Sequence, residues 1–129
     1  MGKFKSFEEI TSWQKSRLFN KRIYEITENT IFKKDFDLVR QIRRASISIS
    51  SNIAEGFERN TDKEFVYFLY VSKASAGEVR SQLYLALDLN YISKIEFEEL
   101  YLNVSDISKL LSGFIKYLEN SQKVQSLTT

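Results

Sequence analysis

Arg43 and Arg44, with Arg40 one turn earlier, are the residues of this chain best suited to recognition chemistry. A guanidinium is planar, permanently charged and forked, so it matches the oxygens of a phosphate. The same arginines can instead form ion pairs between helices or subunits, with Glu55, Glu64 or Glu78 as partners. Lys15, Arg17, Lys21 and Arg22 make a denser cationic cluster upstream. It reads either as a phosphate-binding face or as a solvated helix face, supported by Glu25 at i,i+4 from Lys21. Arg59 falls in a loop between two helix ends, placed to bond the last carbonyls of one helix or to meet a ligand anion. Tyr67, Tyr70 and Tyr84, near Lys73 and Arg80, offer rings on which bases can stack, although such tyrosines more often line interfaces. Asn52 and Glu55 could be read as an amide and acid pair for catalysis. Asn52 lies at the edge of a core face, where fixing helix ends by hydrogen bonds is the commoner role.

Little else supports catalysis. The 129 residues include no cysteine and no histidine. That removes disulfides, thiolate or imidazole metal sites, cysteine nucleophiles and histidine-based triads. No glycine-rich phosphate loop, nucleophile elbow or metal-ligand spacing occurs. The expectation is a protein that is not an enzyme and uses no cofactor and no metal.

Charge is distributed unevenly. Residues 1–44 hold 11 Lys/Arg against 6 Asp/Glu, a net of +5, and residues 45–129 carry a net of −3, which together make the +2 of the whole chain. A basic N-terminal half attracts phosphates or an acidic protein surface, or is no more than ordinary solvated helix faces. The start, Met1-Gly-Lys-Phe-Lys5, has no apolar core of signal-peptide length, and no apolar run approaches a membrane span. This predicts a soluble, cytoplasmic chain with no membrane partner.

The elements that position these residues read as helices. With 43% hydrophobic residues and no proline, the chain can bury one core and run long helices. Ser6-Phe-Glu-Glu9 reads as a capping box that opens the first helix, with Ile10, Trp13, Phe19, Ile23 and Ile26 on one side. After a break at 29–35, Asp35 is a candidate N-cap for a second helix with the apolar line Leu38, Ile42, Ala45, Ile49 and Ile53. Gly56 is read as its C-terminal stop. Thr61-Asp-Lys-Glu64 is a second capping box, opening a helix from about Phe65 to Leu89. Residues 90–93 connect to a third box, Ser93-Lys-Ile-Glu96, and to a fourth helix with Phe97, Leu100, Tyr101, Val104, Ile107, Leu111, Phe114, Ile115 and Leu118 on one stripe. Gly77 and Gly113 lie inside helices and are assigned to close helix contact. Short connections predict an all-α, antiparallel up-down-up-down four-helix bundle over residues 1–119, with a polar, frayed tail over 120–129.

The third helix is apolar on two sides. Phe65, Phe68, Leu69, Ser72, Ala76, Val79, Leu83, Ala86 and Leu87 share the core face. Opposite them run Tyr67, Val71, Ala74, Glu78, Ser81 and Leu85, spaced 4-3-4-3-4. A helix apolar on opposite sides is normally buried on both, so the outer line predicts another subunit. The second helix repeats this weakly, with Arg40, Arg43, Arg44, Ile47, Ser51 and Ala54 opposite its core line.

The stretch Gln41–Glu64, with Phe65 after it, carries a resemblance. Gln41, Arg43, Arg44, Ala45, Ile49, Asn52-Ile-Ala-Glu-Gly56, Arg59, Thr61 and Glu64-Phe65 resemble the signature of a bacterial four-helix bundle family. That family is named for proteins encoded in intervening sequences of 23S ribosomal RNA genes. The likeness continues more loosely through Trp13, Ile23-Tyr24, Phe68-Leu69 and Glu78. Ser50 stands where many members have proline, Ser48 is one place off the usual serine, and Ala74 replaces a frequent glycine. The resemblance implies a homopentameric ring. It also implies similarity to the accessory variability determinant of diversity-generating retroelements, which binds nucleic acid and a reverse transcriptase. Two roles follow from it. One is a non-enzymatic oligomer binding RNA or DNA backbone through Lys15, Arg17, Lys21, Arg22, Arg40, Arg43, Arg44 and Arg59. The other is a protein-interaction scaffold, for instance a reverse transcriptase partner, that binds no nucleic acid.

Overall fold

The computed structural model describes the backbone of residues 4–128 and the side chains of residues 4–121. Four helices carry the chain: α1 (Thr11–Thr27), α2 (Phe36–Phe57), α3 (Asp62–Asp88) and α4 (Lys94–Thr128), with no strand among the described residues. Consecutive helices pack on one another, and α4 closes against α1. The shared core holds Phe19, Ile23, Ile42, Ile49, Ile53, Phe65, Leu69, Leu83, Leu100, Ile107 and Leu111. Burying an aliphatic or aromatic side chain of this size contributes about 1.5–3 kcal/mol. The apolar lines read from the sequence therefore face inward, with Trp13, Phe68, Leu87, Phe97, Tyr101 and Phe114 half-buried at their edges.

Two capping expectations hold. Asp35 Oδ1 accepts from the Leu38 amide at 3.1 Å. At α4 the box is reciprocal: Ser93 Oγ accepts from Glu96 N at 3.1 Å, and Glu96 Oε1 accepts from Ser93 N at 2.8 Å. At α3 the box is half made. Thr61 Oγ1 accepts from Glu64 N at 3.1 Å but donates its own proton to Glu64 Oε1.

The first helix start differs from expectation. Residues Phe7–Glu9 form a separate 3-10 turn, Ser6 makes no side-chain cap, and Glu9 Oε1 accepts instead from Lys5 N. Ile10 is extended, at φ −77° and ψ 123°, and α1 begins at Thr11. The break lets Ile10 enter the core while Phe7 meets Trp13 edge-on, with centroids 5.1 Å apart.

Three glycine readings are corrected. Gly56 lies inside α2 with no positive φ, so it is not a left-handed stop. A Cβ there would stand 2.8 Å from both Phe65 Cδ1 and Phe68 Cβ, so glycine permits the close approach of α2 and α3. Gly77 and Gly113 have nothing among the described residues within 4 Å of a hypothetical Cβ, so close helix contact within the bundle does not explain them. The left-handed residue that does end a helix is Asn90, at φ 61°, where Tyr91 N donates to Ala86 O at 2.9 Å and Asn90 N to Leu87 O at 3.0 Å.

The helical backbone of α4 extends through residues 120–128, where the polar composition alone predicts a frayed tail. No helix among the described residues is long and apolar enough to cross a membrane.

Candidate nucleic-acid interface

The cations expected to act together fall into three places. The first is the outer junction of α1 and α2. A seam of small polar residues holds these helices at close range. Ser46 Oγ donates to Asn20 Oδ1 at 2.7 Å, and Asn20 Nδ2 donates to Ser50 Oγ at 3.0 Å. Outside this seam lies a groove of about 850 Å³ lined by Tyr24, Phe36, Val39, Arg40, Arg43, Arg44, Ile47, Ser48 and Ser51. Three arginines and no carboxylate line it.

The neighbouring arginines Arg43 and Arg44 are not equivalent. Arg43 Nε donates to Thr27 Oγ1 and its NH2 group to Glu28 Oε1, each at 2.9 Å, while its guanidinium stands 4.2 Å from the Tyr24 ring centroid. The arginine holds the Glu28 carboxyl below its ordinary range, first through this hydrogen bond and then through charge attraction. Arg44 is exposed and has no ion pair or hydrogen bond among the described residues. The expected partners Glu55, Glu64 and Glu78 are not those of Arg43, because Glu28 at the end of α1 is the carboxylate that α2 passes. Arg40 makes only an exposed 3.2 Å contact with Asp37. Along α1, Arg17 and Lys21 stand one turn apart, outside the lining of this groove and in a hollow they share with Glu8, Trp13, Gln14 and Leu18. Both are exposed, and neither makes an ion pair among the described residues. Arg17 lies 6.0 Å from the Trp13 ring centroid. The expected Lys21–Glu25 pair does not form; Glu25 is 3.9 Å from Arg22.

The second place faces α4. Lys15 and Arg22 share a groove with Leu18, Glu99, Asn103 and Asp106. Arg22 is bidentate on Glu99, at 2.8 and 2.9 Å, and this bond is the main reason the Glu99 carboxyl titrates below its ordinary value. Arg22 therefore clips α1 to α4, and Lys15 sits in mixed charge. The third place is the α2–α3 turn. There Arg59 reaches Glu64 at 3.6 Å and lies 4.9 Å from the Phe68 ring centroid. Its backbone amide, not its side chain, bonds the α2 carbonyl of Gly56.

Asn52 donates to Ser48 O and Ser48 Oγ one turn earlier in α2, and Glu55 is exposed, so the two make no catalytic pair. No group of three or more carboxylates that could hold a metal occurs among the described residues. The outer line of α3 faces solvent in the single chain: Tyr67 is 63% and Leu85 46% exposed, and Ala74 and Glu78 are also exposed. Ile47 sits at the groove edge rather than on this line. Tyr84 belongs to an aromatic cluster with Phe97 and Tyr101, centroids 4.9 and 5.6 Å away.

Sequence reasoning does not single out Tyr24, Phe36, Thr27 and Glu28 as site residues. The signal was present at Phe36, which lies two residues before Leu38 and so about 200° around the helix from the core line. A phenylalanine there must point outward.

The family described as 23S rRNA-intervening sequence protein matches residues 8–113. Among solved structures, the chain is similar to a protein of unknown function from the S23 ribosomal protein family of Bacteroides thetaiotaomicron VPI-5482. The two are 28% identical with a TM-score of 0.76, over 81% of this chain and 95% of that one. No curated protein matches the chain.

Proposed function

This chain belongs to the 23S rRNA-intervening sequence protein family, and we propose that it is a non-enzymatic, cytoplasmic accessory protein that binds the backbone of RNA or DNA as a homo-oligomer. The observation that carries the reading is the set of outward cations on α1 and α2. Arg44 lies in a groove whose described lining holds three arginines and no carboxylate, and Arg17 and Lys21 are exposed in the hollow along α1. None of the three makes an ion pair among the described residues. Unpaired surface cations release counterions from a phosphate backbone at little cost in broken salt bridges. Arg40 joins them, since its exposed contact with Asp37 is cheap to give up. Lys15, Arg22, Arg43 and Arg59 are less available, being engaged or placed among carboxylates, so binding falls mainly to the first four.

Assembly follows from the outer line of α3. Tyr67, Val71, Ala74, Glu78 and Leu85 would be covered by a second subunit, whereas Ile47 lines the α1/α2 groove and falls outside that interface. The family resemblance would make the ring a pentamer. An up-down-up-down order of antiparallel helices suits the short connections. Repetition around an axis would concentrate the α1/α2 charge into a ring field.

The experiment is light scattering after size exclusion, with and without a short structured RNA, at low and high salt. A ring-sized particle that takes up RNA only at low salt supports the reading. A ring that ignores RNA at both salts favours the scaffold role, for which the exposed apolar line of α3 is the supporting observation. A monomer contradicts the assembly.

A further inference from the structure

We infer that the α1/α2 groove binds unpaired nucleotides of a single strand, with a base against the Phe36 ring and the flanking phosphates on Arg40 and Arg44. This rests on the nucleic-acid reading above and narrows it to one strand class. Phe36 opens α2 and is 78% exposed, with Arg40 one turn along on the same side. A backbone-binding surface for duplex needs cations only, because paired bases keep their faces stacked away from the protein. An outward phenylalanine has a use where bases are splayed and their faces free.

The pairing of ring and cation recurs along the surface. Within the groove Arg43 covers Tyr24 and Arg40 follows Phe36. A single strand alternates flat bases with phosphates, and this surface alternates rings with guanidiniums. The Arg43 plane, fixed by Thr27 and Glu28, extends the platform, since a guanidinium also stacks on a base. The chemistry is common to RNA and DNA, and the probes separate them.

The test uses the full chain and fluorescence anisotropy at low salt. Probes of equal length are oligoadenosine, oligodeoxyadenosine, a duplex, and an abasic sugar–phosphate strand. The inference expects at least one single strand to bind more tightly than the duplex and the abasic strand. Phe36→Ala should weaken that binding about ten-fold, leave the abasic strand unchanged, and be rescued by Phe36→Trp. Phe36 is exposed, so these variants should fold; light scattering checks the particle mass. Three results overturn the inference while sparing the broader reading: equal binding of base-bearing and abasic strands, no preference for single strand over duplex, or an unchanged affinity in Phe36→Ala. A change of particle mass in Phe36→Ala also overturns it, by making a second copy the occupant of the groove. If no probe binds at low salt, where phosphate contacts are strongest, the broader reading falls as well.

Discussion

The guanidinium of Arg43 stands 4.2 Å from the Tyr24 ring centroid while bonding Thr27 and Glu28, so it ties the end of α1 to the middle of α2. Its neighbour Arg44 ties nothing among the described residues. Two adjacent arginines of one motif thus have different work, one in the fold and one toward solvent.

Substitution should separate them. Arg43→Ala loses a cation–π contact and two hydrogen bonds at a half-buried site and is expected to cost about 1–2 kcal/mol in urea unfolding. Arg44→Ala should stay within about 0.5 kcal/mol of the parent. It should instead weaken RNA binding and lower the salt slope by about one.

Gly56 and Gly113 give opposite expectations for the same change. Gly56→Ala sets a methyl 2.8 Å from Phe68 Cβ, which cannot turn away as a side-chain end could. The helices must part, at a cost of about 1–3 kcal/mol. Gly113→Ala meets nothing within 4 Å among the described residues and should stabilise α4 by about 0.5–1 kcal/mol, read as a higher Tm.

Acid should weaken the fold through Glu99. Its folded carboxyl titrates below the ordinary 4.5 because Arg22 bonds it. The unfolded chain therefore takes up the proton first. The stabilisation is fully present above about pH 4.5 and is lost as pH falls through the depressed folded value. Glu28, held down by Arg43, adds to the same acid limb. Glu99→Gln should flatten part of that limb and cost about 0.5–1 kcal/mol near neutrality, since both partners are about a third or more exposed.

Much of this architecture was legible in the residues. The 4-3-4-4 line from Leu38 to Ile53 places α2, because only a helix brings those positions to one side. Ser93 and Glu96 mark the start of α4 by satisfying each other's amides. What failed depended on the partner across the gap. Ser6–Glu9 has the letters of a capping box, but burial of Ile10 breaks the helix there. Gly56 has the letter of a stop, yet its reason is the Phe65 and Phe68 side chains of another helix. The candidate site was half legible. The arginines were visible by type, whereas their division into bound and free depends on where Glu28 and Glu99 arrive from other parts of the chain.

The most direct test of the central claim replaces Arg17, Lys21 and Arg44 together with alanine and measures binding of a structured RNA as a function of salt. Binding by the parent should fall steeply with salt, and the variant, with its particle mass unchanged, should bind more weakly with a slope shallower by about two to three. A variant that binds with the parent's affinity and slope, or a parent whose binding ignores salt, would contradict the claim that the α1/α2 surface holds phosphates.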